Sequence, residues 1–306
     1  MRMKSFVLAF DFGGTKMAIA TATPDREILE RVELSTVECG DGPTALEKAL
    51  SAGRELVERT KQSYGGELAG VGISTMGITH ADRVEMAPNV PGWDQLHIPG
   101  AMQAAFPGVP IRIDNDVKAA ALAEVRRGAL QGKDYGIYVN MGTGIAITFT
   151  LGDRVLQGHN GASGEVAYFL RSQDEKAGYH QGVAPFEEHC GGKGIGDQAS
   201  KHFGEPLTAK QLYARAATDE AARKFLDDRY QEIAFHLINL VIAWDPEIVV
   251  FGGGMAARNE EVLPYLRKRV EQFVPYPPQL VLARFESDAG LYGAIELALG
   301  NERKTR

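Results

Sequence analysis

The sequence predicts an α/β protein built from two related halves. Apolar strand-like runs alternate with helical patterns, an order typical of a largely parallel sheet covered by helices. A unit of strand, glycine-rich turn and strand opens the chain and recurs roughly 130 residues later, which indicates a duplicated architecture. The 306 residues, 44% hydrophobic and 24% charged, fit two globular domains, and we expect a cleft between them.

The first half shows strand patterns followed by helical ones. Leu46, Leu50 and Leu56 recur at nearly helical spacing, and the run from Val117 to Arg127 is rich in alanine and ends before a glycine. These patterns predict strands at residues 5–10, 17–22, 27–34, 68–74 and 109–113 and helices at 43–61 and 117–127.

The second half repeats the opening scheme and then adds a long helical pattern. An apolar strand there runs directly into three consecutive glycines. The patterns predict strands at residues 135–140, 145–150, 248–251 and 280–284 and helices at 219–243 and 288–299.

Charge and hydropathy argue against two classes of partner. The 33 basic and 40 acidic residues give a net charge of −7 without a basic patch, so we expect no nucleic-acid partner. The longest apolar run, 233–243, contains His236 and Asn239 and is shorter than the ~20 residues of a membrane span. Without the pattern of a signal peptide at the N-terminus, we expect a cytoplasmic protein.

Two cysteines, Cys39 and Cys190, are too few for a disulfide framework. One disulfide is arithmetically possible, but reduced thiols without a catalytic role fit a cytosolic enzyme better.

The two glycine turns have the composition of phosphate-binding loops. Glycines let backbone N–H groups approach an anion, threonine adds a hydroxyl, and an aspartate suits hydrated Mg²⁺. The alternative is a pair of tight hairpins that bind nothing. The candidate ligands of a polyphosphate and its metal are Asp11, Gly13, Gly14, Thr15, Lys16, Gly142, Thr143 and Gly144.

A third glycine run, Gly252, Gly253 and Gly254, follows an apolar strand where α/β sheets offer ligands a crevice. It could seat a nucleotide base or ribose, and close packing of helix on strand explains it about as well. The spacing fits neither a dinucleotide fingerprint nor a P-loop.

Together these motifs resemble the ROK family of the sugar kinase, Hsp70 and actin superfamily. The resemblance covers nearly the whole chain and implies two ribonuclease-H-like domains flanking a cleft, residues 1–117 with 288–306 and residues 118–287. It also implies ATP- and Mg²⁺-dependent phosphorylation of a hexose or amino sugar, and a homodimer. The matching segments are 11–16 (Asp-Phe-Gly-Gly-Thr-Lys), 113–116 (Ile-Asp-Asn-Asp), 139–144 (Val-Asn-Met-Gly-Thr-Gly), 164–165 (Gly-Glu) and 245–254 (Asp-Pro-Glu-Ile-Val-Val-Phe-Gly-Gly-Gly).

Asp116 matches the catalytic position of the family, where a carboxylate takes the proton of the acceptor hydroxyl. Its neighbour Asn115 can bond sugar hydroxyls. From the residues alone the favoured role of Asp116 is to cap the helix that follows, since aspartate is a favoured N-cap residue, and the resemblance shifts the preference to catalysis.

Further sugar contacts follow from the resemblance. Glu165 and Glu187 match family glutamates that contact sugar, although Glu188 permits a slip of one residue at the second site. Trp93 could stack on the sugar or simply pack its loop. The full set of expected sugar-binding residues is Gly77, Asn89, Asn115, Asp116, Glu165, Tyr168 and Glu187.

Two departures from the family pattern affect what is carried over. Tyr168 stands where many relatives have histidine, and the cysteine cluster that binds zinc in them is missing, so we expect no structural zinc. The polar segment 171–176 must then be ordered by other packing, or be mobile until sugar binds.

The substrate and role stay open at this point. We expect ATP-dependent transfer to the 6-hydroxyl of a glucose- or mannose-like hexose. Alternatives are a glucoside, N-acetylmannosamine or another amino sugar as acceptor, polyphosphate as donor, or a catalytically weak sugar-binding regulator. A repressor of this family would carry an N-terminal helix-turn-helix domain, which we do not expect because the first strand begins within five residues of Met1.

Overall fold

The computed structural model describes residues 4–80, 82–87, 90–258 and 261–300. Within them the chain forms twelve strands: β1 (Ser5–Phe12), β2 (Lys16–Ala22), β3 (Ile28–Ser35), β4 (Glu67–Thr75), β5 (Ile78–Thr79), β6 (Val84–Glu85), β7 (Ile111–Asn115), β8 (Tyr135–Met141), β9 (Ile145–Leu151), β10 (Arg154–Val155), β11 (Ile248–Gly252) and β12 (Gln279–Leu282). The same residues form ten α-helices: α1 (Gly42–Tyr64), α2 (Ile98–Ala105), α3 (Asp116–Arg127), α4 (Pro185–Cys190), α5 (Gly192–Phe203), α6 (Ala209–Ala216), α7 (Glu220–Trp244), α8 (Gly254–Arg258), α9 (Val262–Phe273) and α10 (Ala289–Leu299).

The chain divides into two compact units, and unit 1 comprises residues 1–127, 157–162 and 288–306. Its five-stranded sheet has the order β3-β2-β1-β4-β7, in which β1 is antiparallel to β2 and parallel to β4. Side chains alternate across β1: Phe6, Leu8 and Phe10 join one core cluster, while Val7 and Ala9 join another. Both faces of this sheet are therefore buried.

Helices cover the two faces of this sheet. The cluster that contains Phe10 includes Leu46 and Leu56 of α1, whereas the cluster on the opposite face includes Leu291 and Ile295 of α10. Helix α10 lies so close to β4 that a Cβ at Gly72 would overlap the carbonyl oxygen of Ala294. Glycine is required at position 72 by this contact.

Unit 2 comprises residues 128–156 and 163–287. Its sheet has the order β10-β9-β8-β11-β12, with β8 antiparallel to β9 and parallel to β11. Each strand thus has a counterpart in the sheet of unit 1. Helices α4 to α7 are inserted between β10 and β11, and α7 begins where Asp219 accepts hydrogen bonds from the N–H groups of Ala221 and Ala222. The predicted α/β class and its duplication are confirmed.

The division of the chain differs in detail from the expected one, which placed a boundary at residue 117. Helix α3 lies entirely in unit 1, together with residues 157–162. The buried ammonium of Lys118 donates a hydrogen bond to the carbonyl oxygen of Gly161 at 2.6 Å, which joins that segment to α3. Among the described helices, none combines the length and apolar character that a membrane span requires.

Candidate functional site

The polar residues of unit 1 gather at the carboxyl ends of its parallel strands. In the sheet register Asp11 on β1 pairs with Ser74 on β4, and Ser74 pairs with Asp114 on β7. Asn115 follows one residue later, opposite Thr75. This edge is where α/β sheets bind ligands, so the strand order itself brings the first-half candidates together.

Asp11 is a half-buried carboxylate whose Oδ1 accepts a hydrogen bond from Ser74 Oγ at 2.7 Å. Burial raises the pKa of Asp11 above its ordinary value, although the Ser74 hydrogen bond and the charge of Lys16 lower it. A carboxylate that burial disfavours in its charged form gains from a nearby cation. The residue therefore fits the expected hydrated Mg²⁺.

The first glycine turn is fixed at its base and exposed at its tip. Gly13 N donates to Lys16 O at 3.1 Å, and Thr36 donates from Oγ1 to Gly13 O and from N to Thr15 O, at 2.7 and 2.9 Å. A Cβ at Gly13 would lie 2.8 Å from Lys16 O, so close contact requires glycine there. Gly14 and Thr15 are exposed, and Lys16 Nζ lies 3.3 Å from Glu33.

Asn115 connects the end of β7 to the start of α3. Its Nδ2 donates to Gly77 O at 2.8 Å, and its Oδ1 accepts from Val117 N at 2.9 Å and more weakly from Lys118 N. The Asn115 side chain thus provides the helix cap that the sequence alternatively assigned to Asp116. Asp116 is half-buried, and its Oδ1 accepts a hydrogen bond from Val117 N at 2.9 Å.

A buried charged layer lies behind Asn115. Asp114 accepts hydrogen bonds from Asn115 N at 2.8 Å and from Gln157 Nε2 at 2.7 Å. Burial raises the pKa of Asp114, and the charge of Lys118 opposes that shift. These contacts anchor the junction that carries Asp116.

Trp93 packs its own loop. The side chain is fully buried, its Nε1 donates to Thr75 Oγ1 at 3.0 Å, and its ring centroid lies 5.1 Å from that of Phe12. The packing interpretation holds, and the sugar-stacking alternative is wrong for this buried ring. Asn89 lies outside the described residues.

In unit 2 the second glycine turn contacts the start of α5. Gly142 N donates to Gly144 O at 3.0 Å, while Gly192 N donates to Gly142 O and Lys193 N to Thr143 O, at 3.0 and 2.9 Å. Thr143 is exposed. The turn is therefore fixed from one side and open on the other.

A cavity of about 720 Å³ opens beside this turn. This volume falls within the range of small-molecule sites. Tyr213 contributes to the lining, and its hydroxyl is buried without a hydrogen-bond partner among the described residues. The lining includes Gly142, Thr143, Lys193, Lys210, Tyr213 and Gly254.

The third glycine run is set by close contacts as well as by ligand space. Gly253 has φ of +85°, and a Cβ there would overlap the carbonyl of Met141; a Cβ at Gly252 would overlap the ring hydroxyl of Tyr138. Gly254 begins α8 and borders the cavity. Close packing thus explains why Gly252 and Gly253 are glycines, whereas Gly254 lines the cavity.

The three sugar-site candidates of unit 2 lie together. Burial raises the pKa of Tyr168, and the nearby carboxylates of Glu165 and Glu187 raise it further. Glu187 Oε2 accepts from Ile145 N at 3.0 Å, directly after the glycine turn. Residue 164 must be glycine, because its φ is +90° and a Cβ would overlap Ile147 O. Two carboxylates and a phenol thus form one polar cluster beside the turn.

The polar segment after Tyr168 is held by charge. Arg171 donates from Nε to Glu232 Oε1 at 2.7 Å and from Nη2 to Oε2 at 3.1 Å. His189, Cys190 and Glu232 place ligand atoms within 4.8 Å of one another, the one such metal-type group among the described residues. Cys39 and Cys190 are both free thiols, as expected.

Sequence reasoning missed the cavity residues Lys193, Lys210 and Tyr213. A signal existed for Lys193, which lies in a glycine-rich run at a helix start, a common anion-binding arrangement. Lys210 and Tyr213 lie on α6, a helix that the sequence patterns did not predict.

Comparison with known proteins adds a family relationship. The ROK family model matches residues 7–301. The bifunctional enzyme NanE/NanK of Brucella melitensis is 30% identical over 308 residues, covering 95% of this chain and 54% of that enzyme, so the chain spans about half the length of this relative. An N-acetylmannosamine kinase of Salmonella heidelberg is 29% identical, covering 96% of this chain and 98% of the relative. The ROK hexokinase structure from Thermus thermophilus has a TM-score of 0.82 at 30% identity, covering 96% and 97% of the two chains, in agreement with the two-domain fold expected for this sequence.

Proposed function

The chain belongs to the ROK family, and from this premise we propose that it is an ATP-dependent sugar kinase. It transfers the γ-phosphoryl group of ATP to the 6-hydroxyl of a glucose- or mannose-like hexose. Likeness to a hexokinase over nearly the whole of both chains supports this assignment.

In this proposal Asp116 is the general base. The observation that carries the proposal is the position of its half-buried carboxylate at the start of α3, directly after Asn115. Asn115 accepts hydrogen bonds from Val117 N and Lys118 N, so the cap of α3 does not depend on the half-buried carboxylate of Asp116 alone. Phosphoryl transfer requires an oriented hydroxyl and an acceptor for its proton. We assign that proton to the carboxylate of Asp116, with Asn115 and Gly77 supporting its position.

The donor nucleotide is assigned to the cavity of unit 2. Backbone N–H groups of Gly142, Thr143 and Gly144 suit its phosphates, and Gly254 suits the nucleoside. Lys193 and Lys210, which line the same cavity, supply positive charge in a protein of net charge −7. We assign the remaining phosphate contacts to Gly13, Gly14, Thr15 and Lys16.

Asp11 is assigned to the metal. Mg²⁺, when bound, neutralises charge on the transferred phosphoryl group. Asp11 would hold its hydration shell, and Ser74 orients that carboxylate through the hydrogen bond to Oδ1.

The sugar is assigned to Glu165, Tyr168 and Glu187. Ionised carboxylates accept hydrogen bonds from vicinal hydroxyls, and such charge-assisted bonds are strong. The resemblance to an N-acetylmannosamine kinase favours one alternative acceptor, an amino sugar phosphorylated at the same position.

The test is a coupled assay of ADP release over a panel of glucose, mannose, a β-glucoside and N-acetylmannosamine. We expect one sugar to give turnover and Asp116→Asn to lower kcat by about 10²–10⁴ with sugar binding retained. Asp25→Asn, at an exposed turn, is the matched control and should keep full activity. Undiminished turnover by Asp116→Asn would refute the assignment of Asp116 as general base. If none of the sugars gave ADP release, the assignment of the protein as a sugar kinase would be refuted.

A further inference from the structure

Two segments of unit 2 that carry the sugar-site candidates are joined by one carboxylate on a third element. We propose that Glu232, on α7, is a positioning residue that holds the segment after Tyr168 and the helix that carries Glu187 in one arrangement. The inference rests on the proposed function, because it assigns Glu232 the task of aligning Tyr168 and Glu187 for the sugar.

The contacts of Glu232 are divided between the two segments. Its Oε1 accepts from Arg171 Nε at 2.7 Å; its Oε2 accepts from Arg171 Nη2 at 3.1 Å and lies 2.7 Å from His189 Nδ1. Arg171 is three residues beyond Tyr168, and His189 is two residues beyond Glu187 on α4. A single side chain, 15% exposed, therefore ties both segments to α7.

A second tie lies one helical turn along α7. The ring of His236 lies 5.3 Å from that of Phe169 and 4.5 Å from that of Phe186, measured between centroids. Phe169 directly follows Tyr168, and Phe186 directly precedes Glu187. Residues four apart lie on the same face of a helix, so Glu232 and His236 form one continuous support for both segments.

The charge balance favours an ion-pair network. Burial tends to raise the pKa of Glu232, but the hydrogen bonds from His189 and Arg171 outweigh it, and the pKa lies below its ordinary value. The carboxylate is therefore ionised and bonded at both oxygens. Bidentate pairs of this kind fix orientation as well as distance.

The same atoms do not favour a metal centre. Zinc binds cysteine as thiolate, whereas burial raises the pKa of Cys190 far above its ordinary value. Arg171 already occupies both oxygens of Glu232, and Arg229 adds a second guanidinium charge close to Cys190. A metal cation would therefore have to displace the positively charged guanidinium of Arg171 from Glu232.

Loss of the shared carboxylate should therefore loosen both segments and leave nucleotide binding unchanged. The experiment compares Glu232→Gln with Glu247→Gln, which removes the charge of another paired glutamate of unit 2, bonded to Lys133 at 2.5 Å. We expect the KM for sugar to rise about tenfold in Glu232→Gln, because a tenfold change corresponds to the free energy of about one charge-assisted hydrogen bond. The KM for ATP should change less than twofold. The KM for sugar in Arg171→Lys, which keeps the positive charge but not the bidentate geometry, should fall between those of wild type and Glu232→Gln.

Hydrogen exchange of the protein without substrates gives a readout independent of activity. We expect faster exchange in Glu232→Gln at residues 166–171 and 185–190 together, and wild-type exchange there in Glu247→Gln. If no sugar is phosphorylated but both segments loosen, the kinase proposal fails and the positioning proposal stands.

Three outcomes overturn the positioning proposal. They are equal kinetics and exchange in the two glutamine variants, equal rises of both KM values in Glu232→Gln, and about one equivalent of zinc in the purified protein that Cys190→Ala removes. The last result would assign these residues to a metal.

Discussion

The side-chain amide of Asn115 donates a hydrogen bond to the carbonyl oxygen of Gly77 at 2.8 Å, while its oxygen caps α3. Gly77 follows β4, has φ of +89°, and could not carry a Cβ without approaching Glu85 O to 2.5 Å. One buried side chain thus fixes the turn after β4 relative to the residue that we propose as base.

Replacement of Asn115 separates its two contributions. Asn115→Ala removes both the cap and the bond to Gly77, and we expect the free energy of unfolding to fall by about 2 kcal/mol. Asn115→Asp keeps the acceptor that caps α3 but loses the donor, so its loss should be smaller. Urea unfolding of the two variants measures the difference. Equal losses would mean that the cap on α3 contributes nothing beyond the bond to Gly77.

The absence of a side chain at Gly144 leaves room for the carboxylate of Glu187. A Cβ there would overlap Oε2 of Glu187, which accepts a hydrogen bond from Ile145 N. We expect Gly144→Ala to displace the carboxylate and to lower kcat/KM for the sugar at least tenfold, since small misplacements in a site are costly. Gly178→Ala is the control, because φ at Gly178 is −159° and its Cβ would meet nothing within 4 Å. Similar losses in both variants would contradict the contact argument.

The sequence predicted the sheets well because their signals are local. Apolar runs of strand length beside glycine turns placed β1, β2, β8 and β9 within a residue or two, and α7 was visible from its length and the absence of proline. The duplication followed from the repeated turns, and the identical strand orders confirm it.

Helices α5 and α6, which line the unit 2 cavity together with the predicted α7, were not predicted. The α4–α5 region carries glycine and proline at positions that read as loop, including Pro185, Gly191 and Gly194, and it is helical because its apolar side chains, such as Phe186 and Ile195, join the unit 2 core. In such segments tertiary packing, and not the local sequence, decides the secondary structure. For the same reason the pairing of Arg171 with Glu232, 61 residues away along the chain, left no sequence pattern, and neither did the pairing of Glu232 with His189.

Lys118 should stabilise the buried charge of Asp114 in a pH-dependent way. Burial raises the folded pKa of Asp114, and the Lys118 charge restrains that rise. Lys118→Met removes the cation that faces Asp114 and should therefore cost about 3 kcal/mol where that carboxyl is ionised. As the pH falls through the raised pKa, the folded state binds a proton that the unfolded state does not, and the deficit should shrink.

Urea midpoints of Lys118→Met and wild type at pH 5 and pH 8 test this dependence, with Lys133→Met, which removes a partly exposed lysine, as control. The part of the deficit due to the lost bond to Gly161 persists at both pH values. A deficit that grows on acidification would reverse the assigned direction of the Asp114 pKa.

We expect Asp11 to lower the free energy of unfolding while it contributes to metal binding. Its folded pKa is raised mainly by burial, so the ionised form is disfavoured in the fold. Asp11→Asn keeps an oxygen for the Ser74 hydroxyl and removes the buried charge, and we expect unfolding at pH 7 to cost on the order of 1 kcal/mol more than in wild type. The gain should vanish as the pH falls below the ordinary pKa of aspartate, where both folded and unfolded chains carry a neutral group.

The same substitution should weaken the use of Mg²⁺, because the neutral amide holds a hydrated cation less well. We expect the Mg²⁺ concentration for half-maximal ADP release to rise at least tenfold in Asp11→Asn, and the wild-type requirement to rise as the pH falls through the raised pKa of Asp11. Ser74→Ala removes the hydrogen bond that lowers this pKa, so its Mg²⁺ requirement should begin to rise at a higher pH than in wild type. Titrations of Mg²⁺ at fixed ATP and sugar between pH 5.5 and 8 compare the three proteins. A stabilised Asp11→Asn with an unchanged Mg²⁺ requirement would remove Asp11 from the metal site and leave its burial without a functional explanation.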